Sequence, residues 1–264
     1  EANAQVIEGD NEDYIAMIEF IENNSLSEQS NFEIIENQID INNIIDYHVA
    51  QIYYANTDWP GNNIKFWKPH SENGKWRWIL YDTDFGFGLV EWANHNTLQF
   101  ALQDNGPGWP NPPWSTFLFR SLIENEEFKN NFVSHFCYYL NTRFKASNVM
   151  EHISDVSNHI SSEMPNHILR WGGSYQEWGQ HVNLISNFGN LRDENVFAHI
   201  ASTFNLFGTS YLTVSSSSEE AGSVHTAGQR IPQQQWTAKY FDNINITLTA
   251  IANPGYEFSH WSGT

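Results

Sequence analysis

Residues 56–67 read NTDWPGNNIKFW, and after a short polar gap residues 76–88 read WRWILYDTDFGFG. The first stretch places one acid and two amides on a turn rich in Pro and Gly, and the second places two acids at the end of an apolar run. Carboxylates that lie close together repel one another unless a positive charge lies between them. The two stretches therefore predict a shared cation site.

The two stretches also have the pattern of a β-hairpin. NIKFWKP and KWRWILYD are short runs of β-forming residues, and the Asn-Gly pair at 73–74 between them is a strong turn signal. An antiparallel hairpin brings the residues before its first strand and after its second strand to the same end. We therefore expect four polar side chains to converge there: Asp58, Asn63, Asp82 and Asp84. Two carboxylates and an amide oxygen suit Mg²⁺ or Mn²⁺, and the third carboxylate is left for proton transfer.

Helical periodicity dominates the rest of residues 1–207. The predicted helices are 14–26, a second one over NFEIIENQI (31–39), 41–55, 115–124, 126–145, 147–164 and 176–205. Residues 104–114 are so rich in Pro and Gly that they predict a structured surface loop, and residues 170–178 predict a break between the last two helices. Past Phe207, apolar and polar residues alternate around Ser, Gly and Pro, which predicts a small all-β module over 208–264. The predicted fold class is α+β.

Composition narrows the possible partners. The 264 residues contain 31 acids against 12 Lys plus Arg, a formal net charge of −19. Such a charge opposes binding to a nucleic acid backbone or an anionic membrane, so we exclude nucleic acid as a partner. No apolar run of about 18 residues is present, so no membrane span is predicted. The single cysteine, Cys137, lies in an apolar helical stretch and is predicted to be a buried small hydrophobe.

The spacing of the polar residues points to a known layout. Asp58 and Asn63 stand five positions apart, as do the catalytic-loop Asp and Asn of protein kinases, and residues 84–86 spell the kinase metal-binding triplet DFG. NTDWPGNNIKFWK followed by GKWRWILYDTDFGFG resembles the signature of the spore coat protein H (CotH-like) kinase family. Members are secreted or surface-associated bacterial proteins with an atypical protein-kinase fold. The resemblance spans about residues 14–205 and is strongest over 46–88.

The resemblance implies roles for the converging residues. Asp58 would be the catalytic base that accepts the proton of a Ser or Thr hydroxyl on a protein substrate. Asn63 would hold a metal, and Asp82 and Asp84 would hold the Mg²⁺ or Mn²⁺ that bridges the phosphates of ATP. The triplet spelling favours Asp84 as the main ligand, while the position directly after the apolar strand favours Asp82, and both stay open. The family implies an extracellular or cell-surface location, although the sequence itself shows no signal peptide.

The two ends of the chain carry further expectations. Residues 208–264, especially NITLTAIANPGYEFSHWSG at 245–263, resemble an internalin-type B-repeat, a small β module of many secreted bacterial proteins. The first 45 residues read as helices and contain no Gly-rich phosphate loop. We therefore expect the mostly helical C-terminal lobe of the kinase fold here, with the nucleotide-binding lobe upstream of Glu1 and weak or absent activity without it.

Two alternatives to a kinase stay open. The same acids can bind a metal for stability in a non-catalytic secreted surface or structural protein, or in a pseudokinase scaffold. Alternatively, the aromatic loop at 109–114 can serve a carbohydrate-binding surface, because aromatic rings stack on sugar faces. Seven tryptophans cluster in this third of the chain, and we expect most of them to pack in the core or against loops. The histidines show no spacing typical of a zinc site.

Overall fold

The computed structural model describes residues 5–263 and arranges them as a helical body followed by a β-rich region. The helices are α1 (Glu12–Asn23), α2 (Gln29–Glu36), α3 (Ile41–Tyr54), α4 (Thr97–Ala101), α5 (Trp114–Ile123), α6 (Glu126–Leu140), α7 (Ala146–Ile160), α8 (Met164–Trp171) and α9 (Tyr175–Phe204). The strands are β1 (Lys65–Trp67), β2 (Arg77–Ile79), β3 (Thr209–Ser215), β4 (Gly222–Thr226), β5 (Gln229–Arg230), β6 (Gln235–Phe241) and β7 (Leu248–Ala252). The predicted α+β class is confirmed, and the lobe predicted upstream lies outside the described residues.

Helix α3 leads directly into the predicted site. Asp40 caps its first turn by accepting a hydrogen bond from the backbone nitrogen of Asn43 at 3.1 Å. All side chains from Ile44 to Tyr53 except that of Asp46 are buried, so the helix runs through the core. It ends at Ala55, whose φ of +56° is left-handed. This residue turns the chain out of the helix and into the segment that carries the predicted base.

The predicted hairpin is confirmed, with strands of three residues each. Strands β1 and β2 pair antiparallel, with Phe66 opposite Trp78. Trp76 forms a bridge to Ile39, so the hairpin is fastened to the segment that precedes α3. The ring of Tyr14 on α1 stacks on Phe66 with a centroid distance of 4.3 Å. A two-stranded hairpin is marginal by itself, and these helix contacts hold it in place.

Two helices of the structure, α4 and α8, were not predicted. The side chain of Asn96 caps the short helix α4 by accepting a hydrogen bond from the backbone nitrogen of Gln99 at 3.0 Å. The break predicted over 170–178 is narrower in the structure, because α8 continues to Trp171 and α9 begins at Tyr175. The break is centred on the glycines at 172–173, whose φ values of +85° and +91° are left-handed.

The β-rich region forms two antiparallel sheets, one from β3 and β6 and one in the order β5-β4-β7. It packs on the helical body: Trp236 lies against Tyr138 of α6 with ring centroids 5.7 Å apart. Helix α6 ends at Leu140, before the predicted residue 145, and the next residue, Asn141, joins β6. The Asn141 side chain accepts from the backbone nitrogen of Lys239 and donates to its carbonyl, both at 2.9 Å. The region therefore shares the apolar core of the helices.

Two further points concern the cysteine and membrane-spanning helices. Cys137 is completely buried in α6, as predicted, and burial raises the pKa of its thiol to about 12. A thiol held in its protonated form is a poor nucleophile. Across residues 5–263, no helix is both long enough and apolar enough to cross a membrane.

Candidate functional site

The segment that follows α3 is held by a buried amide. Asn56 is completely buried, and its side-chain oxygen accepts a hydrogen bond from the backbone nitrogen of Asp58 at 3.1 Å. Its side-chain nitrogen donates to Gln51 at 2.9 Å and reaches the carbonyl of Asp82 at 3.5 Å. Asn56 therefore links the turn before β1 to the segment after β2. Sequence analysis did not single out this residue.

The predicted pair Asp58 and Asn63 is in direct contact. Asn63 adopts a left-handed φ of +49°, and its Nδ2 donates to Asp58 Oδ2 at 2.9 Å. The neighbouring Asn62 donates to the other carboxylate oxygen, Oδ1, also at 2.9 Å. Each oxygen of Asp58 thus accepts one hydrogen bond from an amide. A carboxylate has about four lone-pair sites, so a half of this capacity is open to a further donor.

The predicted acids of the second stretch lie just beyond β2. Asp82 and Asp84 are both exposed, and Asp82 has a left-handed φ of +51°. The chain that carries them rests on the end of α3, because the backbone nitrogen of Phe87 donates to the carbonyl of Tyr54 at 2.9 Å. Gly86 is required by this close approach, since a Cβ there would lie 2.8 Å from the same carbonyl oxygen. The DFG segment is thereby fixed beside the Asp58 turn.

Electrostatic interactions show that the acids are neighbours. The pKa of Asp82 is raised above its ordinary value, first by desolvation and then by the charge of Asp84 and a hydrogen bond with it. The charge of Asp58 raises it further, while Lys65 acts in the opposite direction. Desolvation, followed by Asp82 and Asp58, likewise raises the pKa of Tyr81. Asp82 is therefore the acid that interacts with both of the other carboxylates.

The side chains can be tested for their fit to a divalent cation. Within residues 5–263, no three His, Cys, Asp or Glu side chains are grouped so as to hold a metal ion. The available donors are the carboxylates of Asp82 and Asp84 and the amide oxygen of Asn63. Magnesium accepts one or two carboxylates when water and substrate phosphate oxygens complete its shell. In donor chemistry these residues suit a cation that is shared with a ligand, and they do not form a closed cage.

A lysine near the acids was also missed. Lys65 lies on β1 with its ammonium nitrogen 4.3 Å from the ring centroid of Tyr81, and its charge acts favourably on Asp82. Lys65 follows Asn63 by two positions, so strand alternation gives a sequence signal for it in hindsight. It brings a positive charge to the acidic end of the hairpin.

A buried arginine stabilises the backbone next to the site. Arg192 on α9 is completely buried. It donates to the carbonyls of Ile52 at 2.6 Å and Tyr53 at 2.8 Å, at the end of α3. It also donates to the carbonyls of Ala93 and His95, both at 2.7 Å. The guanidinium therefore ties the end of α3 to the chain that follows the DFG segment.

The tryptophans divide between the core and the surface. Three are buried, Trp59, Trp76 and Trp78, and four are exposed, Trp67, Trp92, Trp109 and Trp114. Fewer than half of the seven therefore lie in the core, and the expected packing of the others against loops stays a prediction. Trp109 stands out because 92% of it is exposed. It lies on the loop predicted at 104–114, which the structure places directly against the Asp58 turn.

Comparison with known proteins gives one match. Residues 1–196 match a family described as CotH kinase protein. No curated protein and no solved structure matches the chain. The matched range contains the Asp58 turn, the hairpin and the DFG segment, and it covers well over half of the 264 residues. The chain therefore belongs to the CotH kinase protein family.

Proposed function

We propose that this chain carries the base and the cation-binding acids of a protein kinase that transfers the γ-phosphoryl group of ATP to a Ser or Thr hydroxyl. The proposed cation is Mg²⁺ or Mn²⁺, and the proposed setting is extracellular or at the cell surface, as the family resemblance implies. The nucleotide-clamping lobe is proposed to lie upstream, and residues 208–264 are proposed to be a β-repeat module. The proposal takes Asp58 as the base and Asn63, Asp82 and Asp84 as the cation-binding residues.

One observation carries the proposal. Asp58, which the kinase layout assigns as the base, is hydrogen-bonded to Asn63 at 2.9 Å and interacts electrostatically with Asp82 across the open end of the hairpin. Residues from two separate stretches thus lie near each other and follow the chain order of the kinase layout, which supports the proposal. The hairpin brings the two stretches to the same end, and the proposal rests on the residue types that meet there and on their order in the chain.

The proposed step needs an ionised and oriented base. The hydrogen bonds from Asn62 and Asn63 orient the Asp58 carboxylate and leave lone pairs for the acceptor hydroxyl. As the acceptor oxygen bonds to the γ-phosphorus, its proton passes to Asp58, the bond to the bridging oxygen of ATP breaks, and ADP leaves. A divalent cation, when bound, neutralises charge on the phosphates. The contribution of Asp58 as a general base is expected to be about 10²- to 10⁴-fold in rate.

Of the two acids, we propose Asp82 as the main cation ligand. It interacts with both Asp84 and Asp58, and its pKa is raised first by desolvation and then by these two neighbours. A cation placed beside it relieves the repulsion among all three carboxylates. Asp84 is then the second ligand, and Asn63 contributes its amide oxygen.

The test combines binding and transfer in the full-length protein. Calorimetry would measure Mg²⁺ and ATP binding, and labelled γ-phosphate would report transfer to the protein itself and to Ser- and Thr-containing peptides. We expect Asp58→Asn to bind both ligands and lose transfer, and Asp82→Asn to lose cation-dependent nucleotide binding. Asp155→Asn, an exposed acid on α7, is the matched control. Cation binding without nucleotide binding in the wild type would overturn the kinase proposal in favour of a non-catalytic scaffold.

A carbohydrate-binding surface is the second candidate, supported by the 92% exposure of Trp109. An indole held in the open on a Pro-rich loop can stack on a sugar ring. The check is quenching or a blue shift of tryptophan fluorescence by polysaccharides of bacterial surfaces, compared between the wild type and Trp109→Ala. A response equal in both proteins would remove this candidate.

A further inference from the structure

The loop between α4 and α5 contains a buried polar side chain that the proposed chemistry does not use. Residues 103–113 are mostly exposed or half-buried, yet Asn111 is only 1% exposed. A buried amide needs hydrogen-bond partners, because leaving its groups unpaired costs about 1–3 kcal/mol each. The partners of Asn111 lie fifty or more residues earlier in the chain, in the Asp58 turn.

Asn111 binds that turn at both ends. Its Oδ1 accepts a hydrogen bond from the backbone nitrogen of Gly61 at 2.6 Å. Its Nδ2 donates to the backbone carbonyl of Thr57 at 3.2 Å. Asp58 lies between these two contact points. One side chain therefore spans the short segment that presents the proposed base.

The turn depends on side chains for its shape. No hydrogen bond between main-chain atoms involves residues 57–63 in the described part of the chain. The buried ring of Trp59 packs on α3, and the hydrogen bonds that hold this segment come from the amides of Asn56 and Asn111 and from those of the two asparagines that bind Asp58. Among these, Asn111 is the one supplied by a distant element.

Close packing accompanies the hydrogen bonds. A Cβ on Gly61 would lie 2.8 Å from the Cα of Asn111 and even closer to the carbonyl oxygen of Pro110. A side chain at position 61 would therefore push the loop away from the turn. Glycine permits the two backbones to approach to the distance at which the Asn111 amide reaches both of its partners.

We propose that Asn111 is a positioning residue, which fixes the Asp58 turn in the geometry that proton transfer requires. The inference rests on the proposed role of Asp58 and adds a residue that the kinase layout does not assign. Asn111 does not touch the reacting atoms; it acts through the backbone on both sides of Asp58. Misplacement of a catalytic group by about 1 Å can cost on the order of 10²-fold in rate.

The test separates the position of the turn from its activity. Amide hydrogen exchange and the NMR signals of the Asn62 and Asn63 side-chain amides report the turn directly. In Asn111→Ala, both hydrogen bonds are lost, and we expect Gly61 to exchange at least 10-fold faster, with shifted signals from both amides. Asn111→Asp keeps the acceptor for Gly61 and loses the donor to Thr57, so Gly61 should stay near its wild-type rate. Asn105→Ala, an exposed change in the same loop, should behave as the wild type.

Phosphoryl transfer is measured separately from hydrogen exchange. If the wild type transfers phosphate, Asn111→Ala should lower kcat by about 10- to 100-fold with the KM for ATP unchanged. Faster exchange spread evenly over α3 and α6, or unchanged Gly61 exchange in Asn111→Ala, would overturn the proposal. A full-length wild type with no transfer activity refutes the kinase function, while the exchange data still decide whether Asn111 fixes the turn. If Asn111→Ala does not fold, Asn111→Asp still tests the bond to Thr57.

Discussion

Asn63 donates a hydrogen bond to the carboxylate of Asp58 at 2.9 Å, with its own backbone in the left-handed region at φ +49°. The bond uses the amide nitrogen, so the amide oxygen is the atom left to face a cation. One residue therefore orients the proposed base and leaves an oxygen available to the proposed cation.

Asn63→Gly should remove both roles of the Asn63 side chain and keep the backbone conformation. Glycine accepts the left-handed conformation without steric cost, so we expect the free energy of unfolding to change by less than about 1 kcal/mol. Without the amide, Mg²⁺ binding measured by calorimetry should weaken at least 10-fold. Asn73→Gly, in the exposed turn at the other end of the hairpin, is the control. Equal Mg²⁺ affinity in Asn63→Gly and the wild type would exclude Asn63 as a ligand.

Asp82→Asn should make the protein more stable and less able to bind a cation. Because the folded protein raises the pKa of Asp82, the ionised form is disfavoured by folding. The stabilisation linked to this group is present below the ordinary aspartate pKa of about 3.9 and is lost as the pH rises through the raised value. At pH 7 the variant should therefore have a higher Tm than the wild type, and at pH 3 the same Tm. Addition of Mg²⁺ should raise the Tm of the wild type and not that of the variant. A lower Tm for the variant than for the wild type at pH 7 would contradict the unfavourable effect of folding on the charged form of Asp82.

Arg192 should be one of the least replaceable residues of the helical body. Arg192→Met leaves the buried carbonyls of Tyr53 and Ala93 without a donor, at about 1–3 kcal/mol each, while those of Ile52 and His95 keep a backbone donor. We expect the free energy of unfolding in urea to fall by at least about 2 kcal/mol. Arg192→Lys should recover little, because an ammonium group lacks the fork geometry that reaches both segments. Arg170→Met, on the exposed part of α8, is the control. A decrease in the free energy of unfolding of less than about 1 kcal/mol in Arg192→Met would contradict the assigned hydrogen bonds of Arg192.

His48 should make the fold sensitive to acid. Burial lowers the pKa of this imidazole to about 4, and its ring stacks on Phe119 at 4.1 Å while Nδ1 donates to the carbonyl of Ile44 at 2.8 Å. The unfolded chain binds a proton near pH 6.5 and the folded one only near pH 4. Stability should therefore fall as the pH drops between these values, by about 3 kcal/mol in total.

His48→Phe removes this titration and keeps an aromatic ring. Its free energy of unfolding, measured in urea from pH 7 to pH 4, should decline less steeply than that of the wild type. The half-buried His199, whose pKa is also lowered to about 4 by burial and by Arg192, contributes part of the remaining slope. Parallel curves for the two proteins would show that His48 does not titrate in this range.

The β-rich region should unfold together with the helices. Trp236 is buried against Tyr138, and Phe241 lies near Phe197 of α9 with ring centroids 5.9 Å apart. Trp236→Ala should lower the free energy of unfolding by about 3–5 kcal/mol, and the loss should appear in the helical circular dichroism signal at 222 nm. Tyr211→Ala, an exposed change on β3, is the control. A helical transition unchanged by Trp236→Ala would show instead that residues 208–264 fold as an independent module.

Local chemistry explains the parts of this protein that could be predicted from its sequence. Apolar spacing predicted α3 and α9, and the Asn-Gly turn between two β-rich runs predicted the hairpin, because each signal lies within a few consecutive residues. The same hairpin geometry predicted that Asp58 approaches the second stretch, and its charge acts on Asp82. Helix α4 was missed because it is very short and depends on a single capping side chain, that of Asn96. Helix α8 was also missed.

Contacts between distant residues were decided by the tertiary structure alone. Asn111 reaches Gly61 across 50 positions, and Arg192 reaches Tyr53 across 139. In both cases a buried polar side chain satisfies backbone groups that have no partner in their own segment. No local pattern encodes which distant backbone will present those groups. The sequence by itself therefore determined which polar side chains lie at the end of the hairpin. Packing of the whole chain determined which distant side chains hold them in place, because buried backbone groups acquire such hydrogen-bond partners only when the core forms.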